Sequence, residues 1–234
     1  MKLLTPGAAN AKTAKTGDGA LHYILHLLPS DLSGFQVCPA ATPGCKAACL
    51  NTAGRGRFDS VQQARLRKTQ WLFTDRTGFM VQLRSELDAA VRKGARLNLP
   101  VVVRLNGTSD LDWRDVIRDY PTIQFYDYTK RVQLLKLQSD DPLDNYHLTY
   151  SASEFTTDLM IRRVLALGFN VAVVFAGQMP GWIGETPVIL GDGDDRRFLD
   201  PPGVIVGLTA KGRAKKDTTG FVRRDASAAC GVAA

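Results

Sequence analysis

No run in this 234-residue chain approaches the roughly 18 consecutive apolar residues that a membrane-spanning helix needs. The opening Met-Lys-Leu-Leu-Thr-Pro-Gly lacks the apolar core of a secretory signal. These two absences predict no membrane partner and a cytoplasmic location, where thiols stay reduced. Also missing are a Walker A sequence, a Gly-x-Ser-x-Gly elbow and a Gly-x-Gly-x-x-Gly turn after a strand. P-loop nucleotide chemistry, a nucleophile-elbow serine hydrolase and a dinucleotide fold are thereby disfavoured. Histidine and cysteine are scarce, at three and four residues. Internal repeats, heptads and low-complexity segments are absent too.

What is present fits one sizeable domain: 44% hydrophobic and 23% charged residues, ordinary for a soluble globular chain. Charge is uneven, with a net of +7. Ala53 to Arg96 holds ten Arg/Lys against four acids, Gln138 to Asp200 ten acids against four bases, and Lys211 to Asp225 six bases against two acids. The basic helix and the basic tail are candidate nucleic-acid contacts, with a solvated helix surface as the plainer reading.

Residues 1–20 read as an irregular arm, 21–212 as a single α/β domain with a cysteine loop at 37–57, and 213–234 as a loose basic tail. Six short apolar strands are expected at Leu21–Leu28, Pro100–Leu105, Ile123–Tyr128, Tyr146–Tyr150, Asn170–Phe175 and Val204–Leu208. Helical periodicity lies between them: Arg57–Leu97, broken near Arg76-Thr77-Gly78, then Trp113–Asp119, Val132–Gln138 and Phe155–Leu167. Runs such as Val101-Val-Val and Val171-Ala-Val-Val mark strands buried on both faces, hence mostly parallel. The element order suits an open doubly wound sheet or a partial (β/α)6 barrel, and the second is the expected architecture.

The chemistry concentrates in Val37-Cys38-Pro-Ala-Ala-Thr-Pro-Gly-Cys45-Lys-Ala-Ala-Cys49, which holds three of the four cysteines in twelve residues. If helix starts at Gly44, Cys45 and Cys49 share a face, and Cys38 reaches in from an extended segment kept irregular by Pro39 and Pro43. Three thiolates suit a 4Fe-4S cluster with one open iron. The alternatives are zinc with a fourth ligand from Cys230, Asp59 or His26, a four-cysteine cluster that recruits Cys230, and inert buried thiols. His22 and His26 share one strand face; a core hydrogen bond is the plainer role for them, and His147 in the fourth strand is equally ambiguous. The acidic run Gly191–Asp200 lacks the spacing and distal Glu of a calcium loop, so internal ion pairs are expected there.

Polar residues recur just past the strand ends: Asn106, Ser109 and Asp110, then Asp127 and Lys130, then Glu154. In a barrel such loops converge on one site, so these six are the candidate lining for a ligand of the open iron. The plainer reading makes Ser109 or Asp110 the N-cap of the helix that carries Trp113.

Two resemblances follow. Asn10-Ala-Lys-Thr, Cys38 through Cys49-Leu-Asn-Thr-Ala-Gly-Arg-Gly-Arg-Phe58, Arg104-Leu-Asn-Gly-Thr-Ser-Asp110, Phe125-Tyr-Asp-Tyr-Thr-Lys130, Asp195-Arg-Arg-Phe-Leu-Asp-Pro201 and Gly207-Leu-Thr-Ala-Lys-Gly212 resemble the bacteriophage gene product 88 family over nearly the whole chain. That resemblance implies a phage origin and a host cytoplasm. A cysteine triad between the first strand and first helix of a partial barrel resembles radical S-adenosylmethionine enzymes, which implies S-adenosylmethionine as a cofactor. That family spaces its cysteines C-x3-C-x2-C with an aromatic before the last and follows strand two with Gly-Gly-Glu. Here the spacing is C-x6-C-x3-C, with Ala48 before the last cysteine and Asn106-Gly-Thr-Ser after strand two. The expectation is a phage iron–sulfur protein, an enzyme of radical S-adenosylmethionine type or a relative without that cofactor. The alternative is a regulator that binds DNA or a host protein, with a structural or redox-sensing cluster or zinc site.

Overall fold

The structure, a computed structural model, describes residues 1–7 and 19–224. Expectations for Asn10-Ala-Lys-Thr and for Cys230 fall outside the described residues. The six expected strands are present as β2 (Leu21–Leu25), β3 (Val101–Arg104), β4 (Ile123–Thr129), β5 (Tyr146–Ser151), β6 (Val171–Phe175) and β9 (Ile205–Thr209). They pair in parallel in that order. Four further strands lie around them. β1 (Leu4–Pro6) runs antiparallel to β2, and β8 (Thr186–Leu190) runs parallel to β9. β7 (Trp182–Ile183) closes a hairpin with β8, and β10 (Val222–Arg223) pairs in parallel with β6. The result is one mixed α/β sheet, mostly parallel.

The helices are α1 (Pro43–Ala47), α2 (Asp59–Thr74), α3 (Arg76–Leu97), α4 (Arg114–Arg118), α5 (Val132–Asp140) and α6 (Asp158–Ala166). The break between α2 and α3 sits at Asp75, whose carboxylate accepts the Gly78 N–H at 2.9 Å and caps α3. At the other end of α3, Gly94 lets the chain turn closely into β3. A Cβ there would lie 2.6 Å from Val101 Cγ2 and 2.8 Å from the Leu99 carbonyl oxygen.

Alternation along the strands decides which face is covered. Val101, Val103, Phe125, Leu148, Val171, Val173 and Ile205 share one core with Phe79, Leu83 and Leu87 of α3, Ile117 of α4, Leu134 and Leu135 of α5, and Ile161 and Val164 of α6. Each such side chain contributes about 1.5–3 kcal/mol when buried, which fixes the strand registers. The helices of the connections from β2 to β6 pack on this one face, and β2 to β6 follow chain order, whereas beyond β6 the sheet continues as β9, β8 and β7, against chain order.

The opposite face carries His22, Arg104, Tyr126, Tyr128, His147 and Thr149, and the 191–200 segment covers it. Asp195 receives Arg104 Nη1 at 2.9 Å, Tyr128 lies under the Arg104 guanidinium at 4.9 Å, and Phe198 packs on Tyr126. Arg196 binds Asp194 through Nε and Nη2, and Arg197 Nη1 stands 3.1 Å from Asp200. The acidic run is thus an ion-paired cover, as its Asp-Asp-Arg-Arg sequence suggested.

Two segments are more ordered than expected. Leu4–Pro6, within the expected irregular arm, is a strand whose neighbouring N–H groups at Leu3 and Leu4 donate to Glu86. Within the expected loose tail, residues 213–224 are packed: a 3-10 turn over Gly212–Lys216 buries Ala214, and β10 buries Val222. The cause is a gap in the sheet. β5 and β6 pair only at Tyr150–Val171 and Ser151–Ala172, then separate, and β10 fills the vacated flank of Val174 and Phe175.

Candidate functional site

The cysteine loop follows β2 and lies at the carboxyl ends of the parallel strands. Its start is tied down on both sides: the Val37 N–H donates to Ser30, and the Asp110 N–H donates to the Val37 carbonyl. Cys38 Sγ accepts the Ser30 N–H at 3.3 Å and faces the Thr108 carbonyl at 3.8 Å. Thr42 then caps α1, accepting the Cys45 N–H at 3.2 Å, with Pro43 at the first helical position, where its missing N–H costs nothing. Cys45 lies inside this one-turn helix.

Cys49 does not. The expected shared helix face for Cys45 and Cys49 is replaced by a break: α1 ends at Ala47, and Cys49 has extended backbone (φ −54°, ψ 130°) at the start of a 3-10 turn over Leu50–Thr52. The reason is packing, since that turn lies against the 212–216 turn and Ala48 is buried with Ala210, Ala214 and Val222. The three sulfurs therefore arrive from three different backbone conformations.

All three are thiols of intermediate exposure and none is in a disulfide. They sense one another electrostatically: Cys45 and Cys49 both disfavour charge on Cys38, and Cys49 disfavours charge on Cys45. Burial pushes Cys38 up to about 12 and raises Cys45 and Cys49, so without a positive partner the site prefers neutral thiols. Two cations oppose that burial. Lys130 favours thiolate at Cys45 and Cys49, and Arg65 does so at Cys49. Among the described residues, no three of His, Cys, Asp and Glu form a group suited to a metal ion.

Three of the six expected lining residues surround the sulfurs. Lys130 Nζ donates to Ser151 Oγ (2.8 Å), the Ser151 carbonyl (3.0 Å) and the Ala152 carbonyl (2.9 Å), and lies 5.0 Å over the Phe221 ring. Burial lowers its hold on the proton, countered by Cys45, Asp110 and Glu154. Asp110 accepts the Lys130 N–H at 2.9 Å and the Thr129 hydroxyl at 2.7 Å. Glu154 clamps the helix that carries Cys45, accepting the Thr42 hydroxyl (2.6 Å) and the Gly44 N–H (2.7 Å). Burial works against its ionisation, but those two bonds outweigh it and hold the carboxyl below its ordinary value.

The other three form a saturated network beneath the site. Asn106 Oδ1 accepts from Ser109 Oγ, the Leu111 N–H and Trp113 Nε1, and its own N–H donates to Asp127 Oδ1 at 2.8 Å. Asp127, 1% exposed, also accepts from Tyr146 at 3.3 Å. These residues shape the loop after β3. The N-cap expected of Ser109 or Asp110 is not formed: Trp113 occupies the cap of α4, and Asp112 accepts the Arg114 N–H.

Several contributors escape sequence reasoning. Arg65 binds the Asn51 side chain under the Cys49 turn, and Lys68 Nζ donates to the Leu3 carbonyl at 2.6 Å. Arg65 and Lys68 point inward while Arg67 is exposed, so α2 is not a uniform basic face. Thr42 was legible as Thr-Pro, a cap followed by proline. Phe221 and Thr219 carried no local signal, because only the return of the chain beside β6 brings them here.

Gly44 marks how closely that return approaches. A Cβ on it would lie 2.3 Å from Thr219 Oγ1 and 2.8 Å from the Glu154 carboxyl group. Gly44→Ala is therefore expected to push the Glu154 clamp off Thr42 and cost about 1–3 kcal/mol. Hydrogen exchange should quicken over residues 38–49 and stay unchanged in α3; no local change would refute the clamp.

A triad of part-buried thiols faced by buried cations, at the carboxyl edge of a mostly parallel α/β sheet, defines an α/β protein with a cysteine-centred site. The chain belongs to the gene product 88 family of bacteriophage proteins, whose model matches residues 2–225. No curated protein and no solved structure matches it, and the comparisons lend no support to the radical S-adenosylmethionine resemblance.

Proposed function

We propose that this protein holds a 4Fe-4S cluster through Cys38, Cys45 and Cys49, with one iron left open to a small ligand. The sheet would curl as a partial (β/α)6 barrel with the site at its carboxyl mouth. The observation that carries the reading is the convergence of three mutually coupled, unbridged thiols on the buried ammonium of Lys130. A cluster on three thiolates is an anion. Lys130, whose three hydrogen bonds go to neutral oxygens, and Arg65 beside Cys49 supply the compensating charge.

Asp110 and Glu154 are already engaged by backbone and hydroxyl donors, which favours the thiols as the iron ligands. A bound cluster would supply Lewis acidity at its open iron or one-electron transfer. Such a site belongs in a reducing compartment, the host cytoplasm.

Protein purified without oxygen should contain about four iron and four sulfide per chain, with a broad visible absorption band. One zinc per chain and no sulfide would overturn the reading. S-adenosylmethionine, the ligand the triad's placement brings to mind, is tested by adding it to the reduced protein. A changed electron paramagnetic resonance signal would identify it as the ligand of the open iron, and an unchanged one would exclude it there.

A further inference from the structure

Beside the thiols, two short turns bring together cations from distant parts of the chain. The 3-10 turns over Gly54–Arg57 and Gly212–Lys216 lie on either side of a close backbone approach. Gly212, at φ +56°, comes so near that a Cβ would stand 2.9 Å from Ala53 Cβ. Arg55, Arg57, Arg213, Lys215 and Lys216 are all exposed there. Among the described residues no carboxylate forms an ion pair with Arg57, Arg213, Lys215 or Lys216. By contrast, Lys211, of the same basic segment, is held 2.5 Å from Asp192.

The nearby Asp217 does not neutralise this patch, since its carboxylate turns inward to the Thr219 hydroxyl (2.7 Å) and the Val222 N–H (3.0 Å). The nearest exposed acid in sequence is Asp59, in the first turn of α2. Clustering like charges opposes folding. Here the frame beneath is fixed by buried Ala48, Ala210, Ala214 and Val222, so Arg57, Arg213, Lys215 and Lys216 are held in place with no carboxylate paired to them among the described residues.

We propose that this patch binds single-stranded nucleic acid. The charge fits a phosphate backbone. Turns of four and five residues offer no helix to enter a duplex groove. Phe58, which directly follows Arg57, is 51% exposed and Leu50 is 62% exposed, giving a base a surface to stack on. The proposal does not rest on the cluster.

The test is fluorescence anisotropy of a labelled oligothymidine of about 20 nucleotides. Four phosphate contacts predict an affinity loss of about fiftyfold between 50 and 200 mM salt. The variant R57Q/R213Q/K215Q/K216Q should lose binding at least about tenfold and most of its salt dependence. The equally charged control R76Q/R92Q/K93Q/R96Q on α3 should bind within about twofold of the parent, with circular dichroism showing both variants folded. Phe58→Ala should weaken binding without changing the salt slope. No binding at low salt, equal loss in both quadruple variants, preference for duplex, or equal competition by polyglutamate would each overturn the proposal.

Discussion

Replacing any one of Cys38, Cys45 and Cys49 with serine is expected to abolish stable cluster binding, leaving well under one iron per chain where the parent holds about four. The expectation follows from how the three arrive. Cys38 is fixed by the Ser30 N–H, Cys45 by the Thr42 cap, and Cys49 by a turn packed on residues 212–216. None lies on a flexible segment that could substitute for another. Cys230→Ser should leave iron content unchanged if the site uses three cysteines, and loss of iron there would favour the four-cysteine alternative. Lys130→Met should keep the fold, because its partners are two carbonyls and a hydroxyl at the edge of the site. It removes the buried positive charge, so the cluster should become harder to reduce. Iron analysis and a redox titration of the same preparations check both statements.

Much of this frame was legible in the chain because the relevant forces are local. Valine runs such as Val101-Val-Val can satisfy only a strand buried on both faces, and the 3.6-residue spacing of Phe79, Leu83, Leu87 and Ala90 marks the buried stripe of α3. What escaped depends on partners far along the chain. β8 carries Pro187 and has no clear alternation; it forms because β9 offers it an edge. β10 is two residues long and exists only where β5 and β6 part. Asn106 and Asp127 read as site residues because polar groups past strand ends often are. In the fold they saturate each other, a role that sequence spacing does not distinguish from catalysis. Arg65 and Lys68 read as solvated helix charge, yet Asn51 and the Leu3 carbonyl draw both inward.

The face of the sheet under the 191–200 segment makes acid stability a balance between opposing groups. Burial, joined by Arg65, Arg104 and Lys68, lowers His26 to about 3, against a raising pull from Asp195, and burial with Arg197 lowers His147 to about 4. The buried His26 Nδ1 and His147 Nε2 have no hydrogen-bond partner. Both folded values lie below the unfolded 6.5, so the stability these residues contribute is complete above that pH and is lost as pH falls toward 4. At about 1.4 kcal/mol per unit, the pair loses about 6 kcal/mol between pH 6.5 and 4. Asp127 acts in the other direction. Burial raises it to about 7 despite Arg104 and the Asn106 N–H, so the folded state gains about 4 kcal/mol as pH falls from 7 to 3.8. Asp110 and Asp200, also raised chiefly by burial, push the same way. The parent should therefore lose only a few kcal/mol on going to pH 4. Asp127→Asn removes the compensating term, so the fall in stability between pH 7 and pH 4 should steepen by about 4 kcal/mol, from a higher starting point at pH 7. His26→Gln/His147→Gln should reverse the slope, giving greater stability at pH 5 than at pH 7. Urea unfolding at pH 4, 5.5 and 7 separates the three proteins, and an Asp127→Asn profile no steeper than the parent's would disprove the balance.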